Sequence, residues 1–292
     1  MMGIVEKLIA EIIISSLVLA GLYILLSVGF SLIVGVAQIL NFAHGAFYII
    51  AAYWVYSLLP LGYEFGVIGA LVLTPLLGLV VYRVFIGPLR EKGARAALVT
   101  VALALIIQEI LKLIFGPQIV SIPNTVSGNS AILGVPVTNQ KLLSFVVALV
   151  SVSILWLFLR RTKQGKAIRA VTQNMDVARL VGVNIRRVLM TCMGISVLLG
   201  AIAAICFAPT WSVSPSGWDI IFRAFPVIIL GGMGSIKGSV VASFILAFTE
   251  TTVIFTCGGG NLVSIVSFLL MITVIFLRPT GLFGKAKGGK LI

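Results

Sequence analysis

The sequence has few charged residues and very few acidic ones. Charged side chains make up 10% of the 292 residues, with 8 Asp and Glu against 21 Lys and Arg. Soluble domains contain about 25% charged residues. Because 60% of this chain is apolar, a soluble core of this length could not remove that much apolar surface from water. The composition therefore excludes an ordinary soluble protein and predicts that lipid surrounds most of the chain.

Histidine and cysteine are also scarce. The single histidine is His44, and the three cysteines, Cys192, Cys206 and Cys257, lie in apolar runs without a CxxC pair. A structural zinc site needs about four such ligands close together, so none is expected. With so few acids, the sequence also offers no catalytic triad or metal cluster. We therefore predict that the chain itself is not an enzyme and holds no metal.

Long apolar runs are what the sequence has in abundance. A helix needs about 20 apolar residues to cross the hydrocarbon core, which predicts an all-α, polytopic helix bundle and one transmembrane domain over residues 1–292. About eight spans are expected, at 10–35, 46–60, 64–86, 96–115, 141–160, 188–208, 236–256 and 262–278. A shorter piece at 219–232 is either a tilted span or re-entrant. The runs lack the alternation of a barrel wall, so we predict no strands.

Basic residues are concentrated in three segments between or after the spans. The segments 83–95, 160–187 and 278–292 hold sixteen of the 21 Lys and Arg. This pattern indicates loops on the cytoplasmic side of the membrane, and it argues against nucleic-acid binding. The uncharged segment 117–140 is expected on the outside.

Small residues recur at every fourth position in three spans. Such rows keep to one helix face and let helix backbones approach closely in lipid. They predict a tightly packed bundle. The rows are Ser27, Ser31 and Gly35; Ser196, Gly200, Ala204 and Ala208; and Gly234, Gly238 and Ala242.

Two interruptions of apolar helix and one buried acid are the candidate site in the membrane. The interruptions contain Asn41, His44 and Gly45 in the first case, and Gly231, Gly232 and Gly234 in the second. Paired helix breaks mark translocation paths in many transporters, but ordinary tight turns would give the same pattern. His44 could instead tie down the helix break by a hydrogen bond. Glu250 is either a pathway residue or half of a structural pair.

The basic segment 161–187 predicts two short helices. Ile168, Val171, Met175 and Ala178 can share an apolar face. Asp176 is expected to cap the second helix, Gly182 to end it and Asn184 to cap the next span. A structured, basic, amphipathic segment is suited to two functions, and the residues alone do not distinguish between them. It could lie on lipid headgroups or fit a groove on a cytoplasmic partner.

Four stretches resemble the LivH-type permease subunit of branched-chain amino acid ABC importers. They are ILNFAHG at 39–45, GKAIRAV at 165–171 with LVG at 180–182, LGGMGSIKG at 230–238 and RPTGLFG at 278–284. They follow the family's order across nearly the whole chain. The resemblance implies an ATP-driven importer subunit in a prokaryotic plasma (inner) membrane.

The resemblance also implies partners and residue roles. Two separate ATPase subunits would bind ATP, so this chain needs no cofactor of its own. A second permease, expected to be a related but different chain, would supply half the path, and an external binding protein would deliver the substrate. The 161–187 loop would couple to the ATPases. The loop residues that match the family pattern are Gly165, Lys166, Arg169, Ala170 and Gly182.

Two alternatives to this function stay open at the level of sequence. Related permeases share much of the pattern, so urea or a short amide could be the cargo. An ion-coupled secondary carrier is a different class, and the scarcity of acids within the spans argues against it.

Overall fold

The chain forms a helical bundle with one small hairpin, given by a computed structural model that describes residues 4–90, 92–215, 218–258 and 260–284. The helices are α1 Ile4–Ala37, α2 His44–Leu58, α3 Tyr63–Val81, α4 Gly87–Leu89, α5 Gly93–Phe115, α6 Asn139–Arg161, α7 Lys163–Gln173, α8 Met175–Leu180, α9 Ile185–Phe207, α10 Trp218–Gly231, α11 Ile236–Cys257 and α12 Gly260–Leu277. A π-helical turn, Tyr82–Ile86, joins α3 to α4. The basic tail residues Lys285, Lys287 and Lys290 lie outside the described residues.

The predicted transmembrane bundle is confirmed. Within the described residues, seven helices are long and apolar enough to cross a membrane. They coincide with the first seven predicted spans, and α12 occupies the eighth. The helix α10 has 14 residues, which gives it a length of about 21 Å. That is less than the roughly 30 Å of the hydrocarbon core, so α10 does not cross alone in helical form.

Helix α1 is the centre of the bundle. It packs against α6, α9, α10 and α11, and nearly all of its most apolar part is buried. The small-residue rows explain how the neighbours come close. Ser27 on α1 and Ser243 on α11 have their hydroxyl oxygens 3.2 Å apart, and a Cβ added to Gly35 would lie 2.9 Å from the Cα of Gly234. The predicted tight packing of helix backbones is therefore confirmed.

The outer helices of the bundle expose apolar side chains over much of their length. Examples are Leu76 and Val80 on α3, Leu113 on α5 and Ile154 on α6, each of which is at least half exposed. Exposed aliphatic surface of this extent is stable in contact with lipid chains and not with water. It follows that α3, α5 and α6 form much of the lipid-facing wall.

The prediction that the chain has no strands is wrong. β1 Asn129–Ile132 and β2 Val135–Thr138 pair as an antiparallel hairpin in the uncharged segment before α6. Its two turn residues, Leu133 and Gly134, both have positive φ, 52° and 74°, as a type I′ turn requires. The apolar runs do form helices, and the hairpin lies in the proline-rich loop between them. Val135 and Val137 pack on Ala10 and Ile14 of α1.

Two distinct ends of the bundle follow from the course of α6. The hairpin immediately precedes α6 at Asn139, and α7 begins just after α6 ends at Arg161. The 23 residues of α6 separate these ends by about 35 Å. We call them the hairpin end and the α7–α8 end.

Candidate functional site

The first helix break is built by Asn41 between α1 and α2. Helix α1 ends at Ala37, and Gln38 has a positive φ of 58°. The Asn41 side chain is buried, and its oxygen accepts a hydrogen bond from the backbone N–H of Ala43 at 3.2 Å. Its amide nitrogen lies 3.7 Å from the sulfur of Met193 on α9. Asn41 therefore stabilises the reversal of the chain just before α2.

His44 begins α2 and lies wholly inside the bundle. Its Nδ1 atom is 3.3 Å from the hydroxyl of Ser196 on α9, and its ring meets the Phe30 ring edge-on. Space for the imidazole exists because α1 has glycine at position 29, where a Cβ would approach the ring carbon Cε1 to 3.2 Å. His44 thus joins α1, α2 and α9, which agrees with a role in holding the helix break in place.

A small apolar cavity adjoins this break. Its lining residues come from α1, α2 and α10: Leu26, Phe30, His44, Gly45, Ala224, Phe225 and Ile228. The volume open to the centre of a water-sized sphere is about 10 Å³, which is about the room that one water needs. An amino acid does not fit, so the cavity inside one chain is at most one edge of a path.

The second helix break is made by glycines whose backbones touch. A Cβ on Gly231 would lie 2.5 Å from the carbonyl carbon of Gly238, and Gly232 and Gly234 have positive φ. The segment after α12 seals this turn, since Leu282 and Phe283 donate backbone hydrogen bonds to the carbonyls of residues 230 and 231. We call this unit, residues 231–238 with 280–284, the glycine turn.

The structure brings the two breaks together and leaves Glu250 apart. Gly35, near the end of α1, contacts Gly234 of the glycine turn. Glu250 lies 14 residues along α11 from Ile236, or about 21 Å away. It is 2% exposed, and its carboxylate accepts hydrogen bonds from Tyr23 of α1 at 2.5 Å and from Ser267 of α12. The predicted membrane site is therefore two separate clusters.

The loop predicted to couple to a partner is folded against the α7–α8 end. Thr162 caps α7 by accepting from the Gly165 N–H. Gly165 sits on the last turn of α6, where a Cβ would lie 2.6 Å from the Cα of Leu159. The Arg169 guanidinium donates to the carbonyl of Leu159, and Ala170 is half-buried against the core. These contacts fix α7 rigidly to α6, while Lys166 is exposed.

The cap of α8 differs from the prediction in one residue. Asn174, and not Asp176, accepts the backbone N–H groups of the first turn of α8. Both residue types cap helices well, and Asp176 instead lies within the first turn. Gly182 ends α8 with φ of 83° and the paired hydrogen bonds of a Schellman motif. Asn184 caps α9 as predicted.

The apolar face of the loop is buried against the bundle. Ile168, Val171 and Ala178 are each 3% exposed or less. The residues Val177, Leu180 and Val181 point the other way, and their exposed fractions are 54%, 85% and 72%. We call these three residues the α8 knob. Sequence reasoning named the buried face and missed the knob, because periodicity alone does not tell which side of a short helix is covered.

Arg223 on α10 is a second residue that sequence reasoning missed. It is exposed, and its helix packs against α1 and α11, which carry Tyr23 and Glu250. The signal was available, since a lone arginine inside an apolar run marks a functional position in a membrane protein.

Interrupted helices that meet beside a buried helix, within a bundle of membrane-length spans, are typical of membrane permeases. Sequence comparison agrees. The family described as "Branched-chain amino acid transport system / permease component" matches residues 12–275. The chain belongs to this family, and its function is that of a permease for branched-chain amino acids.

Individual relatives cover almost the full chain. The high-affinity branched-chain amino acid transport system permease protein LivH of Escherichia coli (strain K12) is 27% identical over 94% of both chains. The corresponding protein BraD of Pseudomonas aeruginosa is 26% identical, over 95% of this chain and 96% of the relative. A probable LivH of Methanocaldococcus jannaschii is 27% identical, over 96% and 93% respectively.

A solved structure supports the fold. The structure titled "PsaBC from Streptococcus pneumoniae in complex with Fab" superposes with a TM-score of 0.54 at 13% identity, covering 95% of this chain and 97% of the other. At this identity the similarity concerns the fold alone.

Proposed function

We propose that this chain is one translocation subunit of an ATP-driven importer and that the α7–α8 segment transmits the motion of separate ATPase subunits. The α8 knob is the observation that carries this proposal. Val177, Leu180 and Val181 are exposed on α8 and its C-cap, and α8 directly follows α7, the helix that Gly165 and Arg169 fix to the end of α6. A rigid apolar projection outside the predicted spans is suited to a groove on a protein partner.

The burial of the loop's apolar face argues against the alternative use on lipid. A helix that lies on a membrane surface places its apolar face among the acyl chains. Here that face, with Ile168 and Val171, packs on the bundle. The remaining surface of α7 is basic and polar, with Lys163, Lys166 and Arg169 exposed.

Membership of the family supports a proposal for the wider assembly. Two ATPase subunits would bind and hydrolyse ATP on the α7–α8 side, and a second permease would complete the path. The basic segments 83–95 and 160–187 would face the cytoplasm of a prokaryotic cell. The hairpin end would then face outward, where an external binding protein delivers the amino acid. ATP binding would rock the helices to open the path outward, and hydrolysis would reset them.

The function is tested by labelled leucine uptake into proteoliposomes that contain this chain, its partner permease and the ATPases. Binding protein is added outside, and ATP inside or an ion gradient is supplied in separate runs. We expect uptake that needs enclosed ATP and binding protein and that ignores the gradient. Uptake driven by the gradient without ATP would indicate a secondary carrier. Suppression of leucine uptake by excess urea would indicate the urea or short-amide alternative.

The coupling role is tested at the tip of the knob. Leu180→Ser removes the most exposed apolar side chain of the knob, so we expect weaker association with the ATPases and slower uptake. Leu133→Ser is the matched control for association with the ATPases, because Leu133 is also a well-exposed leucine and lies in the hairpin turn at the opposite end of the bundle. Equal loss in both variants, or in neither, would remove the knob from the coupling path.

A further inference from the structure

The last turn of α6 carries an arginine stacked on a tryptophan at the lipid-facing wall. The guanidinium carbon of Arg160 lies over the Trp156 ring, 5.1 Å from its centre, and the spacing of four residues keeps both on one helix face. Trp156 is 48% exposed, and the neighbouring Ile154 and Leu157 are at least half exposed. The arginine–tryptophan pair therefore continues the apolar outer surface of α6 to the end of the helix.

The length of α6 places this pair at the boundary of the membrane. The midpoint of α6, Asn139–Arg161, is residue 150, and Arg160 lies about 15 Å beyond it along the helix axis. Half of the hydrocarbon core is also about 15 Å thick. Trp156 then lies just inside the apolar layer and Arg160 at the level of the lipid headgroups, which are the depths that these two side chains favour.

The Arg160 guanidinium has hydrogen-bonding capacity that the fold does not use. Thr162 and Arg169 donate side-chain hydrogen bonds to the carbonyls of the two residues before Arg160, so Arg160 is not needed to cap the helix. Among the described residues, no acidic side chain forms an ion pair with it. A guanidinium has several N–H donors around its plane, and its contact with the Trp156 ring leaves them available for a further ligand.

Charge and position together indicate the kind of ligand. Arg160, Arg161 and Lys163 are all exposed, and the chain has no acidic residue at positions 110–175. A ligand with a net negative charge is therefore favoured over a zwitterionic one. The same ligand must also cover Trp156, which lies within the apolar layer. An ATPase subunit in the aqueous phase does not reach that depth, whereas a lipid does.

We propose that the end of α6 binds an anionic phospholipid, with the phosphate on Arg160 and an acyl chain along Trp156 and Ile154. A guanidinium forms paired hydrogen bonds with phosphate oxygens. The phosphate neutralises part of the basic surface, and the acyl chain covers the exposed face of the helix. This lipid lies immediately before Thr162, whose hydroxyl caps α7, so it anchors the point at which the α7–α8 segment leaves the bundle.

The test uses the fluorescence of Trp156 in the full chain, with every other tryptophan changed to phenylalanine. The protein is reconstituted in phosphatidylcholine vesicles that contain a small fraction of either phosphatidylglycerol or phosphatidylcholine with brominated acyl chains, which quench tryptophan on contact. We expect stronger quenching by the brominated phosphatidylglycerol. In Arg160→Gln this preference should fall about fivefold, the effect of one cation at a membrane surface. Lys112→Gln, near the hairpin end of α5, is the matched control and should keep the preference.

Thermal unfolding is a second measurement that needs no change of tryptophan. The assembled complex in nanodiscs should melt at a higher temperature with phosphatidylglycerol than with phosphatidylcholine alone, because a ligand of the folded state stabilises it. Arg160→Gln should reduce this rise, and Lys112→Gln should not. An equal rise in Arg160→Gln and in the unmodified protein would contradict the proposal.

Three results of the quenching experiment would overturn the assignment to a lipid. Equal quenching by the two brominated lipids would mean that the end of α6 does not select an anionic headgroup. Quenching by neither lipid would mean that protein covers Trp156, as at an interface with a second permease. Loss of the preference when inorganic phosphate is added to the buffer would identify a site for the free anion.

Discussion

The glycine turn gives a sharp prediction about stability. In Gly231→Ala the new methyl group would meet three backbone atoms, the carbonyl carbon and oxygen of Gly238 and the nitrogen of Ser239, at 2.5, 2.6 and 2.7 Å. Real Cβ contacts are essentially never shorter than 3.0 Å. Because backbone atoms cannot rotate out of the way, the start of α11 would have to move by about half an ångström or more.

The size of the effect follows from two opposing terms. Overpacking of a tight contact costs about 1–3 kcal/mol. Alanine is a better helix former than glycine by about 1 kcal/mol, and residue 231 is the last residue of α10, where this benefit is smaller. We therefore expect net destabilisation of about 1–2 kcal/mol. By the scale for soluble domains of 150–250 residues, this lowers the apparent melting temperature by about 2–8 °C.

The assay is thermal unfolding of the detergent-solubilised protein, and Gly194→Ala is the matched control. Gly194 lies in α9, where an added Cβ would have Leu79 Cδ2 as its neighbour at 3.6 Å, an ordinary contact. The control should melt at or slightly above the temperature of the unmodified protein. A Gly231→Ala variant that is as stable as the control would refute the idea that close backbone contact requires glycine here.

Three further predictions address the clusters and the orientation. Tyr23→Phe removes a hydrogen bond to a buried carboxylate, so unfolding in detergent should show a loss of about 1.5–3 kcal/mol; an unchanged melting temperature would contradict the network. Arg169→Glu breaks the bond to the end of α6 and should uncouple ATP hydrolysis from uptake without preventing insertion. In a Cys257→Ser background, which removes an exposed native thiol, a cysteine at Asn129 should react with an impermeant reagent from outside and one at Gln173 should not; the reverse would invert the topology.

The spans were predictable because their signal is local and strong. A run of about 20 apolar residues has few stable states other than a membrane helix. Caps were predictable for the same reason, as Asn184 and Gly182 act within one turn of their own positions. The hairpin was not, since Leu133 and Gly134 lack the Asn-Gly signature of its turn. A leucine with positive φ is uncommon, so the Leu-Gly pair does not indicate a hairpin turn from the sequence alone.

The tertiary part of the candidate site was not predictable from the pattern. Glu250 stood out as a buried acid, but its partner Tyr23 is 227 residues away in sequence. The small-residue rows predict that another helix packs closely against Gly35. They do not identify Gly234 as the residue that it contacts.

The central position of α1 has a consequence for biosynthesis. Helix α1 is made well before its partner α11, which begins about 200 residues after α1 ends. At synthesis rates of about 5–20 residues per second, α1 waits roughly 10–40 s for that partner. During this interval Tyr23, Ser27 and Ser31, which are buried in the finished bundle, lack their final neighbours. The insertion machinery, or an early helix such as α2, would have to cover these side chains until α11 is made. Substitutions on this face of α1 should therefore first reduce the yield of correctly assembled protein in the membrane.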